Sequence, residues 1–179
     1  MNTEKTKWAI DPAHSEVSFK VKHLMITNVK GVFKDFSASV TTTSGNFTTS
    51  DIEFSLNPAS VDTGAADRDT HLKSADFFDV DNFSRVSFSG KEANKAIDGN
   101  YVLVGDLTIK DVTKPVKLNV EFAGVMKDPW GNEKAGYTLT GKINRKDWGL
   151  HWNAALEAGG VLVSDDVSIT CDIQLVKQS

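Results

Sequence analysis

The chain alternates apolar and polar residues over most of its length. Val17, Phe19 and Val21 alternate with Ser18, Lys20 and Lys22. Phe36, Ala38 and Val40 alternate with Ser37, Ser39 and Thr41, and Ile52, Phe54 and Leu56 with Asp51, Glu53 and Ser55. Val86, Phe88 and Gly90 repeat the pattern, and Val116, Leu118, Val120 and Phe122 form its longest clean run. A period of two sends successive side chains to opposite faces, so these segments read as half-buried strands. Trp8–Ile10, Tyr101–Ile109, Tyr137–Ile143 and Val161–Val176 complete the set. Turn chemistry separates them: Ser44-Gly45-Asn46, Asp98-Gly99-Asn100, Asp111–Pro115 and Asp128-Pro129-Trp130-Gly131-Asn132. His23-Leu24-Met25-Ile26 breaks the alternation with three consecutive apolar residues, which predicts a bend or a strand buried on both faces.

One segment departs from the pattern. Ala65 to Ser74 holds helix formers and polar residues with no Gly or Pro, and Leu72 and Ala75 lie on one helical face. Asp76-Phe77-Phe78-Asp79 follows it. The spacing predicts a short helix with an aromatic foot, placed as a lid. A second helical turn is expected over Ala154–Ala158, ended by Gly159-Gly160. Strands recurring about every 10 to 15 residues argue an antiparallel sandwich or barrel. The expectation is an all-β fold, an extended antiparallel barrel of about eight strands with one or two short helices covering a mouth. The strands are long, closure removes sheet edges, and a barrel of that size holds its own side chains or one small ligand.

The 179 residues suffice for one domain spanning 1–179. Acidic residues outnumber basic ones, 24 to 20, for a net charge of −4. No basic stripe points to nucleic acid, and no polybasic run points to membrane docking. No run approaches the ~20 apolar residues of a membrane span. Met1–Lys7 has no apolar signal core, so a cytoplasmic location is expected, or a periplasmic one if a signal was removed. The one cysteine, Cys171, allows no intramolecular disulfide; it lies on the strand face of Val167, Ile169 and Ile173 and reads as a small buried hydrophobe rather than a catalytic thiol.

Catalytic motifs are absent: there is no Gly-x-Ser-x-Gly elbow, phosphate loop, His-Glu-x-x-His helix or dinucleotide glycine fingerprint. His14, His23, His71 and His151 are dispersed. His71 lies near Asp67, Asp69 and Asp76, but no pair has standard metal-ligand spacing; Asp76, Asp79 and Asp81 do not follow a calcium loop and read as caps and turns. No metal or cofactor is expected. Arg68, flanked by Asp67 and Asp69, reads either as an ion-pair anchor or, with His71 and Lys73, as a receiver for a polar head group at the mouth. Phe19, Phe36, Phe54, Phe88 and Phe122 each stand on an inward face of a different strand. They either fill a core or, interleaved with small Ala38, Gly90, Gly105 and Gly141, wall a space for a long apolar ligand.

Several segments carry a family resemblance. Ile10-Asp11-Pro12-Ala13-His14-Ser15, Val21-Lys22-His23-Leu24-Met25, Arg68–Ser74, Asp76–Val80, Leu107-Thr108-Ile109 with Val112–Val116, Asp128–Asn132 and the stretch from Asn144 to Gly160 resemble the YceI-like family, in order and over nearly the whole chain. The resemblance implies a lipocalin-like extended barrel with a helical cover, holding a polyisoprenoid or similar long-chain amphiphile. Many members are periplasmic and made with a signal peptide. Burying ~15 apolar carbons at ~0.8 kcal/mol each supplies slightly more than ~10 kcal/mol gross, enough to bind after an association cost of at least ~4 kcal/mol.

The expected function is therefore a non-catalytic carrier or store of an isoprenoid or fatty-chain ligand, with an isoprenoid quinone among the cargoes. The expected tunnel residues are Phe19, Val21, Phe36, Ala38, Phe54, Leu72, Phe77, Phe88, Leu107, Phe122, Leu139, Gly141, Trp148 and Trp152, with Arg68 and His71 at the polar end. Two rivals stand beside it: an enzyme on a quinone-like substrate with His71 or His23 as acid/base, and a stress-related interaction protein whose barrel is filled by its own side chains. Exposed aromatics such as Trp130 leave a homodimer open.

Overall fold

The computed structural model describes residues 4–43, 46–153 and 162–178. The expected helical turn over 154–158, its Gly159-Gly160 stop, Val161, and Ser44 and Gly45 lie outside the described residues.

The alternating segments form strands: β1 (Lys5–Ile10), β2 (Glu16–His23), β3 (Thr27–Phe33), β4 (Phe36–Thr43), β5 (Asn46–Leu56), β6 (Val61–Asp62), β7 (Val86–Lys95), β8 (Tyr101–Ile109), β9 (Val112–Lys127), β10 (Glu133–Asn144) and β11 (Asp166–Lys177). All pairings are antiparallel. Eight of the strands close a ring, β1-β4-β5-β7-β8-β9-β10-β11, sealed where β11 returns to β1 with Ile10 opposite Leu175. The other half of β11 pairs with β2, Phe19 opposite Ile169, and β3 and β6 extend the sheet from there. β1 and β2 thus act as one bent strand. Its hinge is a 3₁₀ turn, Pro12–His14, capped by Asp11, whose side chain accepts from Ala13 N at 3.1 Å, His14 Nδ1 at 2.9 Å and Lys134 Nζ at 3.2 Å.

The helix α1 (Ala66–Lys73) follows β6, as the composition of that stretch predicts. No side chain caps it at Ala65. Thr63 ties its first turns instead: Thr63 N donates to Asp69 Oδ1 at 2.9 Å, and Arg68 donates through Nε to Thr63 Oγ1 at 2.8 Å and through Nη2 to Thr63 O at 2.7 Å. After the helix the backbone folds back on itself, with Phe78 N bonded to Leu72 O and Val80 N to Lys73 O. That reversal drives Phe77 inward to 8% exposure.

His23–Ile26 resolves as a bend. Leu24 and Met25 make a hairpin tip between β2 and β3, and all three apolar residues after His23 are exposed, so the reading of a strand buried on both faces is corrected. The β2–β3 register ends with His23 opposite Thr27, and the three tip side chains remain exposed.

Candidate ligand-binding cavity

The ring encloses a cavity of about 770 Å³. Its wall is the inward face of nearly every strand. Phe19, Val21, Ala38, Phe54, Leu72, Phe77, Phe88, Leu107, Phe122, Leu139 and Trp152 line it, and so do Arg68 and His71. Sequence spacing also placed Phe36, Gly141 and Trp148 there, and the structure places them elsewhere. Phe36 lies at the end of β4, stacked behind Phe54 with ring centroids 6.5 Å apart. A Cβ on Gly141 would meet Leu118 Cδ2 at 2.6 Å, so the wall at that point is leucine. Trp148 sits in a 3₁₀ turn (Arg145–Trp148), 3% exposed, and its Nε1 donates to Leu107 O at 2.9 Å, wedging the barrel end shut.

Ala38 does stand on the wall, but for Gly90, Gly105 and Gly141 the expectation that small residues open the space is corrected in the same way. The Phe88 ring occupies the space where a Cβ on Gly105 would stand, as Leu118 does at Gly141. Glycine here permits close approach of a large neighbour to the sheet. The room comes instead from the ring, whose eight strands fix an interior wider than the inward side chains fill.

One end is a covered mouth. Asp67, Arg68, His71 and Leu72 of α1 face the cavity beside Lys22, His23, Leu162 and Val163. His71 packs edge to face on Trp152 and Phe77, with centroids 4.5 Å and 5.1 Å apart, and Phe77 lies tilted against Trp152 at 5.5 Å. His71 Nε2 also meets Asp76 Oδ2 at 2.9 Å. Arg145 braces this end. It is 3% exposed, and its guanidinium donates to Leu150 O at 2.7 Å, Trp152 O at 2.8 Å, Ser164 O at 2.9 Å and Val163 O at 3.4 Å. Burial lowers its pKa from the ordinary value. Arg145 escaped the sequence reading, yet Tyr137, Leu139, Gly141 and Ile143 share its strand parity, which already points position 145 inward.

The other end is a floor of rings. Phe47 packs on Tyr137 at 5.3 Å and on Phe122 at 5.9 Å, Phe122 stacks on Tyr137 at 5.0 Å, and Trp8 lies 5.4 Å from Phe47. Phe47 was missed because its parity is wrong for its strand; the register slips between Thr41 and Thr43. The Tyr137 hydroxyl and the Trp8 indole N–H are buried with no hydrogen-bond partner among the described residues.

A family description, the YceI-like domain, matches residues 8–175. The chain belongs to the YceI-like family. It is 42% identical over 163 residues to a UPF0312 protein of Staphylococcus aureus strain N315, covering 90% of this chain and 92% of that one. The crystal structure of the Campylobacter jejuni YceI protein superposes with a TM-score of 0.73 at 32% identity, over 94% of this chain and 96% of that one. A polyisoprenoid binding domain from Saccharophagus degradans, implicated in plant cell wall breakdown, shares the fold with a TM-score of 0.66 at 14% identity, over 96% and 98% of the two chains.

Two titratable groups facing the cavity of this YceI-like barrel, Cys171 and Tyr137, are kept neutral by burial. Burial pushes the Cys171 thiol up to about 12 and raises Tyr137 well above the ordinary phenol value, so neither offers an anion near neutral pH. Asp69 is committed to Thr63, and His71 to Asp76. No group of three or more His, Cys, Asp or Glu among the described residues could hold a metal ion. Among those residues, too, no helix is long and apolar enough to cross a membrane.

Proposed function

We propose that this barrel binds one long-chain amphiphile, of the isoprenoid class, as a non-catalytic carrier or store. The observation that carries the reading is the apolar cavity of about 770 Å³ running from the α1 mouth to the ring floor. That volume lies within the ~300–1,000 Å³ range of small-molecule sites. At ~24 cal/mol per Å³, a dry void of this size would cost on the order of 18 kcal/mol, more than the ~5–15 kcal/mol net stability of a typical domain. Water is a poor guest, because an ordered water needs two to four polar partners and these walls supply few. A flexible hydrocarbon chain of ~15 carbons gains about 12 kcal/mol gross by entering. Family membership and the polyisoprenoid binding domain of the same fold from Saccharophagus degradans agree with this assignment.

In this reading Arg68 and His71 lie beside the ligand's polar end at the mouth, and Phe19, Phe54, Phe88 and Leu139 hold its tail. The test is organic extraction of the purified protein with mass spectrometry, and native mass spectrometry of the intact protein. A stoichiometric isoprenoid or fatty-chain species is expected. A clean polypeptide mass that takes up no isoprenoid quinone or polyprenol would remove the carrier reading. Ala38→Phe and Ala93→Phe, both on the wall, should lower lipid occupancy while leaving the strand spectrum unchanged.

A further inference from the structure

The β2–β3 hairpin breaks two local rules at once. Leu24 and Met25 hold left-handed φ angles of 55° and 61°. Such positions favour Gly, Asn or Asp, because a Cβ crowds the backbone there. Large apolar side chains at these positions would ordinarily be compensated by burial. Here Leu24 is 39% exposed, Met25 54% and Ile26 79%. The second breach is electrostatic. From Val17 to Lys34 the chain carries Lys20, Lys22, Lys30 and Lys34 and no acidic residue, although its overall charge is −4. The register sets Lys20 directly opposite Lys30, a like-charge pair that weakens a sheet. Lys30 reaches Glu16 at 3.6 Å and Lys34 reaches Asp62 at 2.7 Å; Lys20 and Lys22 have no ion pair among the described residues. In sequence no basic run shows, since the lysines are spread; the hairpin gathers them.

Departures from local preference without compensation within the fold point to a partner outside it. The tip is also rigidly placed. Leu24 N donates to Leu162 O at 2.9 Å, Lys22 N to Ser164 Oγ at 3.1 Å and Ser164 N to Lys22 O at 3.1 Å. Lys22, His23, Leu162 and Val163 all line the cavity mouth. An apolar tip with lysines behind it, fixed at the opening of an apolar tunnel, fits a bilayer: the three side chains enter the acyl boundary and the lysines meet anionic headgroups.

We infer that the Leu24-Met25-Ile26 tip docks the mouth of the barrel on an anionic lipid surface, so that cargo passes between bilayer and cavity without crossing water. The inference rests on the carrier reading for its purpose, but not for its geometry. The exposed apolar residues of the β9–β10 hairpin, Met126 and Trp130, lie away from the mouth and stand among charges of both signs, Lys127, Asp128, Glu133 and Lys134.

The test is vesicle flotation of the full chain, on phosphatidylcholine alone and with phosphatidylglycerol added. A Leu24→Asn/Met25→Asn/Ile26→Ser variant removes the apolar surface while asparagine suits the left-handed turn. Uptake of a fluorescent prenyl probe from detergent micelles is measured beside it. Wild type should float with phosphatidylglycerol vesicles and less so in high salt. The variant should partition about tenfold less or weaker still, yet take up the micellar probe normally. Lys20→Glu/Lys22→Glu should lose the dependence on phosphatidylglycerol. Wild type that stays at the bottom of the gradient, or a tip variant that floats equally, overturns the inference. Flotation as expected with no probe uptake by either protein would retain the docking surface and remove the carrier reading.

Discussion

The two ends of the barrel are closed by opposite means. At the floor, Trp8, Phe47, Phe122 and Tyr137 come from strands of the ring, and their contacts are ring on ring. At the mouth, His71 and Phe77 come from the helix and its return, and Trp152 from a segment after the last 3₁₀ turn. The Trp152 side of this cover is held by hydrogen bonds that converge on one buried cation, Arg145, and the helix side by bonds to Thr63. A closure made of sheet residues shares the stability of the sheet. One made of a helix and loops can open by itself at lower cost, as local unfolding energies vary across a structure. Under the proposed carrier reading, passage falls to the mouth and containment to the floor.

The largest expected effect tests the brace. Arg145→Ala leaves several buried carbonyls without donors and should cost on the order of 3–5 kcal/mol in denaturant unfolding. Arg145→Lys should recover only part of that, because one ammonium cannot reproduce the guanidinium fork. If Arg145→Ala unfolds like wild type, the mouth is not held as described.

Next comes the exit route. Trp152→Ala removes the ring that meets both His71 and Phe77, each such contact contributing about 0.5–1.5 kcal/mol. Release of a bound prenyl probe should then quicken by about tenfold, whereas Phe122→Ala at the floor should change it little. Faster release from the floor variant than from the mouth variant would reverse the assignment of the two ends. Met126→Ser/Trp130→Ser, at the floor side, should leave vesicle flotation unchanged.

A smaller effect distinguishes the floor's chemistry. The buried Tyr137 hydroxyl lacks a partner among the described residues, so Tyr137→Phe should be neutral or stabilising by up to ~1–2 kcal/mol in lipid-stripped protein. A clear loss of stability would mean that the hydroxyl is satisfied.

The smallest expected effect is acid sensitivity on the floor side. The hydrogen bond from His14 holds Asp11 below its ordinary value, against the opposing effect of burial, and Lys134 adds to the lowering. A carboxyl lowered on folding stabilises the native state above its unfolded value near 3.8, and that contribution fades as pH falls through the folded value. Asp11→Asn should therefore flatten the loss of thermal stability below about pH 4. An unchanged acid limb would show that Asp11 contributes nothing to it.

Much of this was legible beforehand. The faces of β2, β4, β5, β7 and β9 follow from period-two alternation, and α1 falls where the helix formers run without Gly or Pro. Arg145 was legible too, by parity from Ile143, but a charged residue at a strand end reads as solvated unless parity is carried through. Phe47 was not legible, because a register slip reverses its face. Nor was the exclusion of Phe36, Gly141 and Trp148 from the wall. Inward direction is a property of one strand, whereas lining a cavity depends on what the neighbouring strands place over the residue.

Local order along the chain was enough to establish an all-β fold with one helical cover, the inward and outward faces of its strands, and an acidic whole. Closure settled the rest. Pairing β11 with both β1 and β2 makes a ring too wide for its inward side chains to fill, and that leaves a cavity instead of a packed core. The same closure leaves His71, Phe77 and Trp152 in one cluster at the mouth. Alternation carries a side chain's direction, which is a local quantity. Width, register and juxtaposition arise only when distant strands meet, so no window of sequence contains them.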